Sequence, residues 1–165
     1  MILKQFAAAF LFNEEDEVLL LQKKRDAKLL AGMRVPIGGH METSEMNNPE
    51  AACFREIAEE TGISPKEVQD LSLRYIVQRM KGDQIYIQYI FFGYIQSDVK
   101  LVESDEGKLN WVHYKQVKEQ PVTEATRELV KHYEQVGQFD HNIYVGSMSL
   151  QSNLPKMTWA LLDDW

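Results

Sequence analysis

The chain has 165 residues, of which 44% are hydrophobic and 26% are charged, and its formal net charge is −7. This length can form one domain with a substantial core, and no apolar run of about 18 residues predicts a membrane span. The negative charge argues against nucleic acid as a partner, and the single cysteine, Cys53, cannot form an internal disulfide. We therefore expect a cytoplasmic protein.

The first part of the chain alternates apolar runs with polar turns, which predicts strands. Residues 5–12 and 18–24 are two such runs, and residues 34–37 form a third that leads into Gly38-Gly39. Glycine allows close approach of the backbone to a ligand, although a glycine pair by itself indicates only a tight turn.

Cationic residues follow directly on the second predicted strand. Lys23 and Arg25 either end this strand in solvent or contact the phosphates of a ligand, since the strand end precedes the glycine pair in the chain. We retain both as candidate substrate-binding residues.

A helix is predicted after the glycine pair. Asn48 suits the N-cap, Pro49 the first helical position and Gly62 the C-cap. At about 100° per residue, the apolar and small residues lie on one side of the helix and a group of glutamates lies on the other. The first set comprises Ala51, Phe54, Ile57, Ala58 and Thr61, and the second comprises Glu56, Glu59 and Glu60.

The three glutamates are helical neighbours that repel one another unless a cation lies among them. Mg²⁺ is a suitable cation, because it takes oxygen ligands and bridges carboxylates to phosphates. Arg55, at the edge of this face, is placed to pair with Glu56 and to fix its orientation. The simpler alternative is a solvated acidic face on an ordinary amphipathic helix.

The middle of the chain predicts a hairpin formed by residues 71–80 and 84–96. The second of these strands is apolar on both faces, which predicts a position near the middle of a sheet that is covered by helices. An acidic loop follows at residues 103–106, and Trp111 then begins a short predicted strand.

The last part of the chain predicts a second helix over residues 123–136, with Thr123 as the N-cap. A possible strand follows at residues 142–148. The end of the chain, with Trp159 and Trp165, is too apolar for a free tail. We expect residues 138–165 to be an extension of a single domain (1–165) that docks on this domain or on a second subunit of a homodimer.

The stretch from the glycine pair through the first helix resembles the Nudix hydrolase signature. Gly39 and Glu45 match its first part, and the Arg55-Glu56 pair, Glu59-Glu60 and Gly62 match its second part, together with the aliphatic residues Ile57 and Ile63. One spacing differs, because nine residues separate Glu45 from Arg55 where the signature has seven. The two additional residues lie ahead of the helix, where a longer loop is tolerated.

This resemblance implies an α/β/α sandwich with a mixed β-sheet between helices, and a Mg²⁺-dependent hydrolase in which Mn²⁺ can substitute. It implies three sets of site residues. The expected metal ligands are Glu56, Glu59, Glu60, the carbonyl group of Gly38, and Glu106 from the acidic loop. The expected catalytic residues are Glu56, Glu59, Arg55 and Glu45, and the expected substrate-binding residues are Lys23, Arg25 and Gly39.

The implied reaction is attack of water on a phosphorus of a nucleoside diphosphate that is linked to another group. The acidic loop followed by Trp111 is similar to that of the oxidised-purine nucleoside triphosphatases, which suggests a purine nucleoside triphosphate as the substrate. ADP-ribose and nucleotide sugars are alternative substrates, and a domain that binds a nucleotide without cleaving it is an alternative function. Isoprenoid diphosphate isomerisation on the same scaffold would need a catalytic cysteine near the metal, which the position of Cys53 does not favour.

Overall fold

The structure, a computed structural model, describes residues 1–164, which form eight strands and two helices. The strands are β1 Ile2–Phe12, β2 Glu17–Lys23, β3 Arg34–His40, β4 Gln69–Lys81, β5 Gln84–Tyr94, β6 Gly107–His113, β7 Ile143–Gln151 and β8 Leu154–Leu162. The helices are α1 Pro49–Thr61 and α2 Glu124–Gln135. Neither of the two is long and apolar enough to cross a membrane.

All eight strands join one mixed sheet, in the order β6-β2-β3-β1-β5-β4-β7-β8. The pairs β1–β5 and β4–β7 are parallel, and the other neighbouring pairs are antiparallel. β5 lies at the centre of the sheet, which confirms the position predicted from its two apolar faces.

The two helices cover opposite faces of the sheet, which confirms the α/β/α sandwich. On one face, Ala9 and Leu11 of β1 belong to the same buried cluster as Ile57 of α1. On the other face, Phe10 of β1 belongs to a second cluster with Leu129 of α2. β1 therefore contributes alternate side chains to both cores, as expected for a central strand.

Helix α1 begins and ends where its caps predict, but its buried side differs from the prediction. The Asn48 side chain accepts a hydrogen bond from the backbone N–H of Ala51, and Gly62 ends the helix in the left-handed conformation at φ 74°. Ala51 and Ala58 are exposed, contrary to the predicted apolar side. Glu56 and Glu60 are buried instead, because α1 packs over the glycine pair of β3, where Gly39 leaves room for the Glu56 carboxylate and the Gly38 N–H donates to Glu60.

The C-terminal residues form a β-hairpin that extends the domain's own sheet. β7 pairs with β4, and β8 forms the edge of the sheet. The sequence did not predict β8, since Pro155 lies within it; an edge strand tolerates proline because one side of its backbone has no partner. Trp159 packs on Tyr75 and on His132, with ring centroids 5.3 and 4.6 Å apart. His132 is therefore a packing residue, whereas Trp165 lies outside the described residues.

Candidate active site

Arg55, in the middle of α1, is the centre of a polar network. Its guanidinium donates two hydrogen bonds to the Glu45 carboxylate, at 2.7 and 2.9 Å. It donates one to Glu56 at 2.8 Å, one to Glu59 at 3.1 Å and one to the backbone carbonyl of His40 at 3.0 Å. Because arginine has five N–H donors, this network uses its full donor capacity and fixes its rotamer. The predicted pairing of Arg55 with Glu56 is present.

The longer loop between Glu45 and α1 does not separate Glu45 from the site. Glu45 ends a short 3₁₀ turn over Thr43–Glu45, and its carboxylate also accepts the backbone N–H of Glu42. The Arg55 guanidinium lowers the pKa of the Glu45 carboxyl. Since both Glu45 oxygens contact Arg55, Glu45 serves this network by holding the arginine.

The glycine pair determines where two glutamates of α1 can lie. The backbone N–H of Gly38 donates to Glu60 Oε2 at 2.9 Å. A Cβ atom on Gly39 would lie 2.7 Å from both carboxylate oxygens of Glu56. Any larger residue at position 39 would therefore displace Glu56. The close approach that glycine allows serves a buried carboxylate here, in addition to any ligand.

Glu56 and Glu60 are buried carboxyls whose ionised forms are unfavourable in this environment. Burial raises the pKa of Glu60 to about 8, and the nearby charges of Glu56 and Glu106 add to this effect. Burial also raises the pKa of Glu56, although Arg55 opposes the shift. Arg55 donates to Glu56, and its other hydrogen bonds go to Glu45, Glu59 and His40 rather than to Glu60. A divalent cation would supply positive charge to both buried carboxyls.

The donor set fits a hard cation, since carboxylate and carbonyl oxygens are the ligands that Mg²⁺ prefers. Glu56, Glu59 and Glu60 are the side chains that would hold it. Within residues 1–164, however, no group of three or more histidine, cysteine, aspartate or glutamate side chains is already gathered around one point. Arg55 binds Glu56 and Glu59, so a cation at this place would compete with the guanidinium for their oxygens.

Lys23 and Glu106 meet beside the carboxylates and form an ion pair. The charge of Lys23 acts to lower the pKa of Glu60, and that of Glu106 acts to raise it, so both lie within electrostatic reach of α1. Arg25, in contrast, is exposed and lines neither cavity described below. The structure thus brings Lys23, but not Arg25, to the predicted site.

A cavity of about 200 Å³ adjoins the glycine pair on the face of the sheet that α2 covers. Gly38, Gly39 and Lys23 belong to its lining, which connects it to the acidic network. The rest of the lining is mainly apolar and includes Phe6, Phe10, Val77, Ile90 and Leu129. A polar mouth with an apolar interior is the usual form of a small-molecule site.

A second cavity, of about 170 Å³, continues the first. The two share five lining residues from strands, a loop and the start of α2: Leu30, Val77, Gln88, Thr123 and Ala125. These residues come from distant parts of the chain, so no local pattern predicts that they line one cavity. The available signal was Gln88, a polar residue in the middle of β5, which is otherwise apolar after Gln84.

Cys53 is not available for chemistry at this site. It has no exposed surface, and burial raises the pKa of its thiol to about 12. A thiol in this environment stays protonated and acts as a small packing residue, as expected.

Comparison with known proteins identifies the family and shows what the fold resembles. A model of the NUDIX domain matches residues 3–133. A MutT protein from Bacillus halodurans is similar in structure, with a TM-score of 0.69, 24% identity, and coverage of 96% of this chain and 97% of that one. A MutT protein from Methanosarcina mazei has a TM-score of 0.70 and 20% identity, covering 83% of this chain and 96% of that one. An Ap4A hydrolase from C. elegans has a TM-score of 0.66 and 13% identity, covering 85% of this chain and 100% of that one.

Proposed function

Since this chain belongs to the NUDIX family and is a hydrolase of pyrophosphate bonds, we propose that it is a Mg²⁺-dependent nucleotide pyrophosphohydrolase. In this proposal it cleaves a purine nucleoside triphosphate, including oxidised forms, to the monophosphate and pyrophosphate. The reaction takes place in the cytoplasm. The observation that carries the proposal is the pair of buried glutamates, Glu56 and Glu60, which pack against the glycine pair, while this glycine pair and Lys23 line the cavity on the other face of the sheet.

In this proposal the carboxylates of Glu56, Glu59 and Glu60 hold the cation, with the Gly38 carbonyl and Glu106 beside them. Bound Mg²⁺ would neutralise phosphate oxygens and lower the pKa of a coordinated water. Arg55 orients Glu56 and Glu59, because it donates to both. Glu59 is the most exposed of the three, with 59% of its side chain accessible, and can therefore reach water. Glu45 remains bound to Arg55 and supports the network without contacting substrate.

In this proposal the cavity binds the nucleoside part of the substrate. Phosphates at the mouth would lie near Lys23 and the backbone of Gly38 and Gly39, and the base would enter the apolar interior. Phe6 and Phe10 line that interior and can contact an aromatic ring. The net charge of −7 makes an unneutralised polyphosphate unfavourable near α1, which is consistent with a requirement for metal.

The test is product analysis by mass spectrometry with Mg²⁺ and a panel of nucleotides. The panel contains normal and 8-oxo-purine triphosphates, ADP-ribose, nucleotide sugars and diadenosine polyphosphates; the last class covers the activity named for the C. elegans neighbour. Glu59→Gln serves as the blank. We expect release of pyrophosphate from a purine triphosphate. Cleavage of another class of nucleotide alone would show that the proposed substrate is wrong. Binding without any product would indicate a nucleotide sensor and not an enzyme.

A further inference from the structure

Gln88 occupies an unusual position at the wall that the two cavities share. It lies near the middle of β5, is half-buried and lines both cavities. Its neighbours on the same face of the sheet are Phe6 of β1, Val77 of β4, and Tyr86 and Ile90 of its own strand. Its neighbours on the strands are therefore mainly apolar, and Arg79 and Glu124 line the second cavity further along.

The Gln88 amide has no hydrogen-bond partner within residues 1–164. The Tyr86 hydroxyl, two residues away on the same face of β5, donates instead to Gln84 at 2.8 Å. On the opposite wall, the Thr123 hydroxyl is engaged in the cap of α2, where it donates to the Thr126 hydroxyl and accepts the Thr126 backbone N–H. Gln88 is thus the residue of the shared wall that keeps both a donor and an acceptor free.

The contacts of the Gln88 amide within residues 1–164 give it no structural role in the fold. Val77 and Ile90, its neighbours on this face, are both buried, and leucine has nearly the volume of glutamine. A free amide beside an apolar cavity is instead suited to a planar ligand whose edge carries a donor next to an acceptor. Nucleobases have such edges, and glutamine makes paired hydrogen bonds to adenine in this way.

We propose that Gln88 recognises the nucleobase of the substrate, by donating one hydrogen bond to the base edge and accepting another from it. This inference rests on the proposed function, because it requires that a nucleotide enters the cavity. Gln88 determines which base binds, whereas the carboxylates of α1 act on the phosphates.

The test compares binding by wild type, Gln88→Leu and a matched control, Gln78→Leu. Gln78 lies on the neighbouring strand β4, is exposed and lines neither cavity. The ligands are α,β-methylene ATP, α,β-methylene GTP and the base-free methylenediphosphonate, each measured by calorimetry with Mg²⁺. We expect Gln88→Leu to weaken binding of at least one nucleotide roughly 10- to 100-fold, to leave methylenediphosphonate unchanged and to unfold at no lower temperature than wild type.

A second variant tests the hydrogen-bond pattern itself. The carboxylate of Gln88→Glu can only accept, so this variant should change the ratio of GTP-analogue to ATP-analogue affinity by roughly 10-fold or more. A selective loss for the base that wild type prefers supports the inference, because the carboxylate cannot donate the hydrogen bond that the amide gives to the base edge.

Three results would overturn the inference about Gln88. One is equal binding of both nucleotide analogues by Gln88→Leu and wild type, and another is an equal loss for methylenediphosphonate. The third is an affinity ratio that Gln88→Glu leaves unchanged. In all three cases wild type still binds nucleotides, so the proposed function stands. If wild type binds neither analogue, the inference and the proposed function fail together.

Discussion

Replacing Glu60 with glutamine should stabilise the metal-free protein, and the gain should increase with pH. Glu60 is only 4% exposed, and burial raises its pKa from 4.5 to about 8. Glutamine has the same shape, and its amide oxygen can still accept the Gly38 N–H that donates to Glu60 at 2.9 Å. The substitution therefore removes the cost of a buried ionisable group and keeps its hydrogen bond.

The direction of this pH dependence follows from the pKa of Glu60 in the unfolded and the folded chain. As pH rises above 4.5, the unfolded chain releases the Glu60 proton, whereas the folded protein keeps it until about pH 8. The wild-type fold therefore loses stability with rising pH across this interval, and glutamine does not. At about 1.4 kcal/mol per pKa unit, the advantage of Glu60→Gln is about 1 kcal/mol at pH 5, about 3 kcal/mol at pH 7 and about 5 kcal/mol at pH 9.

The assay is urea unfolding in EDTA at these three pH values. Glu59→Gln is the matched control, since Glu59 is 59% exposed and its replacement should change the free energy of unfolding little. A difference between Glu60→Gln and wild type that is constant or decreases with pH would refute the reasoning. Added Mg²⁺ should then stabilise wild type but not Glu60→Gln, because only the wild type keeps the complete set of ligands.

Three further substitutions test individual residues of the site. Glu59→Gln should lower kcat at least 100-fold with an unchanged circular dichroism spectrum; wild-type turnover with unchanged metal dependence would remove Glu59 from the site. Arg55→Lys should reduce kcat/KM roughly 10- to 100-fold and lower Tm, because lysine cannot pair with Glu45 through two hydrogen bonds; full activity would contradict the role of Arg55. Cys53→Ala should keep full activity, and Cys53 should react with a thiol reagent only after unfolding, since its pKa is raised to about 12; loss of activity would reopen an isomerase mechanism.

The parts of this protein that could be predicted from sequence are those governed by local rules. The caps at Asn48 and Gly62 determine the ends of α1, and the two apolar faces of β5 determine its central place in the sheet. The pairing of Arg55 with Glu56 follows from their adjacency and opposite charge. In each case the decisive interaction lies within a few residues or within a repeating pattern.

The parts that could not be predicted depend on contacts between distant segments. Periodicity alone placed Glu56 and Glu60 on the polar side of α1, but the space above Gly39 accommodates the Glu56 carboxylate in the interior, and the Gly38 N–H donates to that of Glu60 there. The proposed role of Gln88 in base recognition likewise depends on a cavity that β5 forms with Thr123, which lies 35 positions later in the chain.

The most direct test of the central claim is hydrolysis of the preferred nucleotide in H₂¹⁸O, with and without Mg²⁺, followed by mass spectrometry of the products. Metal-dependent attack of water on a phosphorus predicts one ¹⁸O atom in one of the two phosphorylated products, and no reaction in EDTA. An equal rate in EDTA, or products without ¹⁸O, would contradict the assignment of the α1 carboxylates to a metal-dependent pyrophosphohydrolase.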